Sequence, residues 1–322
     1  MWSTSVPCRD GAWVYMVTKL MDRIPRGNER HELKRRKGSR SKTIAPYLFV
    51  LPNIVVVVLF GIYPLVDNIV VSLTTGDNGW SNFVGGDNYV ALVHDSAFLA
   101  SVRNTFFYTL MLVPVTVIFS LAIAIGMNKV TRFRGVLRAA YVLPYLLSWS
   151  VSGLVWRQMF QPQNGIINWA LASVGLPTSS WLLDPNMTMV SLAIVGIWAG
   201  LGYYMIIYLA GLQGIPSNLY EAAEIDGASS WQQFRHVTLP GLRPITSLVV
   251  ILVTIASFRV FEGIYVMTGG GPGHASFVLV LYIFIKAFTE FSLGYAAAIS
   301  CVLFAGVMIV TLILQRLLST DD

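Results

Sequence analysis

Two opposite charges, Arg259 and Glu262, lie three residues apart within an apolar run extending roughly from Pro244 to Met267. Ionisable groups at membrane depth face a cavity or a bundle interior and by default mark a solute pathway. At 1.5 Å per residue, Arg259 would stand roughly 22 Å along such a helix, in the outer half of a bilayer. A spacing of three puts both charges on one helix face, where they can neutralise each other. A guanidinium and a carboxylate together can also hydrogen-bond the hydroxyls of a sugar in both directions. A self-paired strut between helices is the competing reading. Aromatic faces would add a flat apolar surface to such a polar pair, and Trp198, Tyr204 and Tyr208 share a second apolar run. Tyr204 and Tyr208 fall on one face by their spacing of four, although aromatic residues near span ends also serve as interfacial belts.

A second constellation is polar and turn-punctuated. Ser217–Pro240 reads SNLYEAAEIDGASSWQQFRHVTLP between two long apolar stretches. Asn218 with Glu221, and Ser229 with Gln232, have the spacing of N-caps with their capping-box partners, which predicts two short helices. Gly227 falls where the first would stop, and Pro240 marks the end of the second. Small residues (Ala222, Ala223, Gly227) let such a knuckle nestle into a groove on a soluble partner, with Leu239 and Pro240 closing it. Glu221 and Asp226 would meet a basic rim. A helix–turn–helix for DNA is set aside, because apolar flanks leave it no freedom to reach a major groove. No nucleic-acid partner is expected.

No catalytic set is visible. A phosphate-binding loop with its lysine is missing, so the chain cannot hydrolyse ATP by that route. The four histidines, His31, His94, His236 and His274, sit on separate segments without ligand spacing, and no metal or cofactor is expected. Cys8 and Cys301 fall in a basic tail and an apolar run, which gives no disulfide framework.

The elements that must position these groups are membrane spans. The chain of 322 residues is 55% hydrophobic and 12% charged, with a mean hydropathy of +0.64. Soluble domains carry about 25% charged residues, so the fold class expected is an all-α polytopic membrane protein. Residues 1–43 form a basic tail, and 44–322 the transmembrane domain, with spans roughly at 44–73, 104–127, 135–160, 188–212, 244–267 and 293–318. Phe277–Phe288 is apolar but too short to cross and reads as an interfacial or half-buried helix. Lys129, Arg132, Arg134 and Arg138 mark an inside loop, whereas 74–102 and 161–187 lack Lys and Arg and face outward. Counting spans puts both termini and the 217–240 knuckle in the cytoplasm.

Residues Glu221-Ala222-Ala223, then Gly227, then Val237-Thr238-Leu239-Pro240 resemble the cytoplasmic EAA loop of ATP-binding-cassette (ABC) importer permeases, with Val237 where isoleucine is usual. The likeness extends over about residues 45–315, toward the carbohydrate-uptake branch of maltose and glycerol-phosphate type. It is carried by Asn104-Thr105, Arg134-Gly135, Leu143-Pro144, Trp156, Gly165, Asn168, Trp181 to Pro185, Leu209 to Pro216 and Phe261 to Pro272. At Glu262 the branch commonly has aspartate. The resemblance implies the type I importer permease fold in a bacterial or archaeal inner membrane. It also implies a second, similar permease, two copies of an ABC ATPase that binds ATP and magnesium, and an extracytoplasmic sugar-binding protein. A permease for another small polar solute, or a non-transporting scaffold or receptor, are the alternatives.

Overall fold

The computed structural model describes residues 40–76, 79–130 and 132–318. The basic tail through residue 39, together with Asp77, lies outside the described residues. Two units divide the chain, residues 1–58 and 59–322. In the first, the described element is helix α1 (Arg40–Val57), apolar and exposed along Phe49 to Val57.

The second unit is helical apart from one hairpin. Helix α2 (Tyr63–Val71) carries Pro64 at its second position, directly after a π turn over Val58–Ile62. Strands β1 (Thr74–Gly76) and β2 (Gly79–Phe83) pair antiparallel, with Thr74 opposite Phe83. The hairpin, which sequence patterning does not reveal, seats against the start of the last helix through two glycines. A methyl on Gly76 would overlap the Gly294 backbone, and one on Gly294 the Thr74 carbonyl.

Helices α3 (Asp87–His94) and α4 (Ser96–Lys129) follow, and the Asp95 carboxylate caps α4 by accepting from the Ala97 N–H at 2.9 Å. The expected third span is not one rod. Helices α5 (Arg134–Leu146) and α6 (Trp149–Met159) meet at 94°. Pro144 supplies no N–H near the end of α5, and Leu147 and Ser148 turn extended, so the ladder stops there. Helix α7 (Ile166–Ser173) leads into a loop organised by Asn168. Its amide donates to the Pro162 and Ser179 carbonyls and accepts from the Trp181 indole at 2.7 Å.

Helix α8 (Thr188–Gly214) runs through the core. Val195, Met205 and Tyr208 on it are buried, and α4 and α5 press against it. Gly202 permits the closest of these approaches, since a methyl there would overlap the Tyr141 carbonyl. Beyond α8 come α9 (Ser217–Ile225), α10 (Ser230–Gln233), a wide π turn (Phe234–Thr238) and α11 (Leu239–Gly241). Helix α12 (Arg243–Phe258) then departs at 66° from the preceding run. Helix α13 (Glu262–Met267), α14 (Leu279–Phe284) with a π turn through Thr289, and α15 (Leu293–Leu318) complete the fold.

Among the described residues, four helical runs are long and apolar enough to cross a bilayer: Phe49–Val71, Ser96–Lys129, Thr188–Gly214 and Leu293–Leu318. The number rises to six if each bent pair counts as one span. The fifth expected span, 244–267, is interrupted, because α12 ends at Phe258. Exposed side chains such as Leu110, Ile118, Leu146 and Leu312 fit a hydrocarbon solvent, in which apolar surface needs no cover.

Candidate functional site

A cavity of about 530 Å³ opens between α4, α5, α6, α8 and the α12–α13 break. Its walls follow from that break. The Arg259 N–H closes α12 by bonding the Ile255 and Ala256 carbonyls, both at 3.3 Å. Val260 and Phe261 leave helical geometry, and Glu262 restarts the chain as the first residue of α13. A cation at a helix C-terminus and an acid at a helix N-terminus are each favourable with the peptide dipoles. The expectation that Arg259 and Glu262 share a helix face therefore fails. They stand on opposite sides of an interruption, both line the cavity, and both are exposed to it. Among the described residues no ion pair joins them, and neither side chain makes a hydrogen bond.

Tyr204 lines the same cavity at the waist of α8, beside Tyr108, Trp149 and Phe261. Tyr203 buttresses it edge-on at 5.1 Å and itself stacks on Tyr145 at 4.5 Å. The other two aromatic candidates lie elsewhere. Tyr208 is fully buried in the core, and Trp198 packs edge-on against Trp156 at 5.3 Å outside the lining. Spacing put Tyr204 and Tyr208 on one stripe, but neighbouring helices cover the lower part of it.

Two lining residues escaped the sequence reading. Thr116 Oγ1 and Ser152 Oγ are buried on the cavity wall without a hydrogen-bond partner among the described residues. Helical threonines commonly bond the carbonyl four residues back, as Thr105 does with Ser101 and Thr109 with Thr105. Leaving a buried hydroxyl unpaired costs about 1–3 kcal/mol. Serine and threonine are common enough in apolar helices that composition carries no signal for this pair.

The knuckle is compact and mostly exposed. Helix α9 begins one residue before Asn218, with Pro216 at the N-cap and no side-chain cap, so the expected Asn218–Glu221 box does not form. The second box does form: the Ser229 N–H donates to Gln232 Oε1 at 2.7 Å, and the Gln232 N–H donates to Ser229 Oγ at 3.4 Å. Between them Gly227 takes φ +74, and the Ala228 and Gly227 N–H groups return to the Ala223 and Glu224 carbonyls. That is the paired bonding of a left-handed helix stop.

Pro240 does not end the second helix. It lies within α11, after a π turn in which the Leu239 N–H reaches the Phe234 carbonyl. The interruption comes two residues later, at Leu242. The Tyr220 hydroxyl meets Thr238 Oγ1 at 3.0 Å and ties the two halves together. Glu221, Ala222 and Asp226 are exposed and Ala223 is half-buried. Leu239 and Pro240 are also exposed, as are the apolar side chains of Ile225 and Trp231.

A third polar knot lies at the N-terminus of α4. Asp95 accepts from the Tyr282 hydroxyl and, at 2.7 Å, from the Tyr295 hydroxyl. Burial alone would push this carboxyl up, but those bonds and the Phe98 and Ala97 N–H groups outweigh it and hold the acid below its ordinary value. Lys286 lies 5.3 Å from both tyrosine ring centres and pairs with Glu290 at 2.6 Å. The knot joins α4, α14 and α15. Among the described residues no three His, Cys, Asp or Glu side chains gather as a metal site.

Residues 89–320 match the model of the family described as binding-protein-dependent transport system inner membrane component. The trehalose/maltose transport system permease protein of Thermococcus litoralis is 35% identical over 83% of this chain and 91% of its own length. The arabinooligosaccharides transport system permease protein of Bacillus subtilis is 34% identical over 86% of this chain and 89% of its own. Among solved structures, a bacterial alginate ABC transporter in complex with alginate pentasaccharide-bound periplasmic protein contains a chain of the same fold. It superposes with a TM-score of 0.75 at 21% identity, over 86% of this chain and 94% of that one.

Proposed function

Because the chain belongs to the family of binding-protein-dependent transport system inner membrane components, we propose that it forms half the pore of an ABC importer for a sugar or sugar derivative. It is a multi-pass membrane protein and a transport permease subunit. The observation that carries the sugar reading is the cavity, where unpaired hydroxyls (Thr116, Ser152), aromatic faces (Tyr204, Trp149) and separated charges (Arg259, Glu262) converge. A polyhydroxylated ring needs donors, acceptors and a flat apolar surface at once. The relatives' arabino-oligosaccharide and trehalose or maltose systems support the same solute class.

In this reading the Glu221–Pro240 knuckle docks on an ATPase. Two copies of that subunit bind ATP and magnesium, so this chain needs no cofactor or catalysis of its own. Exposed Glu221 and Asp226 meet a basic rim, while Ile225 and Trp231 fill an apolar groove. A second, homologous permease closes the pore, and an extracytoplasmic binding protein delivers the sugar. Both termini lie in the cytoplasm, beneath a bacterial or archaeal inner membrane. ATP-driven closure of the ATPase pair moves the knuckle. The bends at 146–149 and 241–243 let α5–α6 and α12 swing, so the cavity faces each side in turn.

The test is uptake by the reconstituted complex over a panel of labelled mono-, di- and phosphosugars, amino acids and inorganic anions. ATP-dependent accumulation of one sugar class is expected. Accumulation confined to amino acids or ions would refute the carbohydrate reading. Loss of the ATPase from the purified complex without loss of uptake would refute the coupling.

A further inference from the structure

We propose that Arg134 and Arg138, at the start of α5, form a binding site for the phosphate of an anionic membrane phospholipid, next to the root of the coupling knuckle. The two arginines are one turn apart and converge on a single neutral oxygen. With the Gln213 amide turned so that its oxygen faces them, it accepts from Arg134 Nη2 at 2.6 Å and from Arg138 Nη2 at 3.2 Å. Two like charges thus share one uncharged acceptor, and among the described residues no carboxylate pairs with either. The Nε–H of each guanidinium is buried and lacks a partner. A guanidinium carries five donors in a planar fork suited to phosphate oxygens, and here most of that capacity is unspent. One anion on the outer amino groups would relieve the mutual repulsion.

The surroundings favour a lipid over a soluble anion or an acidic protein surface. Exposed Lys129 and Arg132 extend the positive field, while Phe133 and Val136 are exposed apolar side chains on the same turn. Leu143 and Leu146 continue an exposed apolar flank toward the far end of α5. A headgroup held at the arginines would therefore lay its acyl chains along α5. The position matters because Gln213 lies in the last turn of α8, just before Ser217 opens the knuckle. A bound anion would fix the α5–α8 contact from which the knuckle hangs, so anionic lipid would raise the efficiency of coupling.

The experiment titrates the purified complex, in neutral detergent, with phosphatidylglycerol, phosphatidylcholine, water-soluble dihexanoyl phosphatidylglycerol and inorganic phosphate, reading thermal unfolding and lipid retention by native mass spectrometry. Selective stabilisation by long-chain phosphatidylglycerol is expected. The R134Q/R138Q double variant should weaken it roughly 30-fold, the combined loss of two basic groups at an anionic membrane surface. R134K/R138K, which keeps the charges but loses the forks, should bind between wild type and R134Q/R138Q and elute as wild type. Equal effects of inorganic phosphate would overturn the lipid assignment in favour of a soluble anion. Unchanged phosphatidylglycerol binding in R134Q/R138Q would overturn the site. So would loss of ATPase co-purification in that variant with lipid binding intact, which would make the arginines a protein contact.

Discussion

Replacing Thr116 by valine and Ser152 by alanine separates a solute contact from a structural one. Neither hydroxyl has a hydrogen-bond partner among the described residues, so the double variant loses no intramolecular bond there. Valine is nearly isosteric with threonine, and Ser152→Ala removes one oxygen. Stability of the solute-free protein should not fall, since each unpaired buried hydroxyl costs about 1–3 kcal/mol. A hydrogen bond between neutral partners contributes about 0.5–1.5 kcal/mol net, which is roughly 2- to 13-fold in apparent affinity for each hydroxyl the solute uses. If the sites act independently, the double variant should raise the KM for uptake roughly 5- to 150-fold. The assay is ATP-driven uptake in proteoliposomes, paired with thermal unfolding of the same preparation. Thr105→Val is the control. Its hydroxyl donates to the Ser101 carbonyl and accepts from the Leu279 N–H at 3.1 Å, away from the cavity. That change should cost about 1–3 kcal/mol and leave KM alone. A stable double variant with a KM within twofold of wild type would refute the reasoning, as would one that unfolds while Thr105→Val does not.

Gly202→Ala should be poorly tolerated, because the added methyl meets the Tyr141 backbone rather than a side chain that can turn away. Overpacking of this kind costs about 1–3 kcal/mol or more, visible as a lower unfolding temperature of the detergent-solubilised protein. Glu221→Lys, on an exposed position, should leave the protein in the membrane and abolish uptake, whereas normal uptake would argue against docking through the knuckle. Asp95→Asn should lower the unfolding temperature, since the Tyr282 and Tyr295 hydroxyls lose a charged acceptor. The pH sign follows from the lowered acid: the stabilisation is present above the ordinary value of 3.8 and is lost as pH falls through the lower folded value. An unfolding temperature for Asp95→Asn equal to wild type at neutral pH would contradict it.

Local chemistry sufficed for the parts of this protein whose structure is locally caused. Leu293–Leu318 needed only an unbroken apolar run, and the expected span coincides with the helix. The Ser229–Gln232 box and the left-handed stop at Gly227 are set by residues within six positions of one another, and both formed as their spacing predicts. The membrane class followed from composition, because apolar surface on that scale has no stable place in water. Pro240 shows where local rules end. A proline halts a regular helix, but a π turn before it absorbed the missing N–H and moved the break to Leu242.

What tertiary structure alone decided is which surfaces face one another. The charge spacing of Arg259 and Glu262 assumed a continuous helix, and the interruption put them on either side of a break that lines the cavity instead. Tyr204 and Tyr208 are equivalent along the chain, yet the neighbouring helices leave the first on the cavity wall and cover the second completely. The unpaired Thr116 and Ser152 hydroxyls and the convergence of Arg134 and Arg138 on Gln213 depend on helices far apart in sequence. Periodicity names the face of a helix, whereas close packing by the neighbouring helices chooses which part of that face is left open.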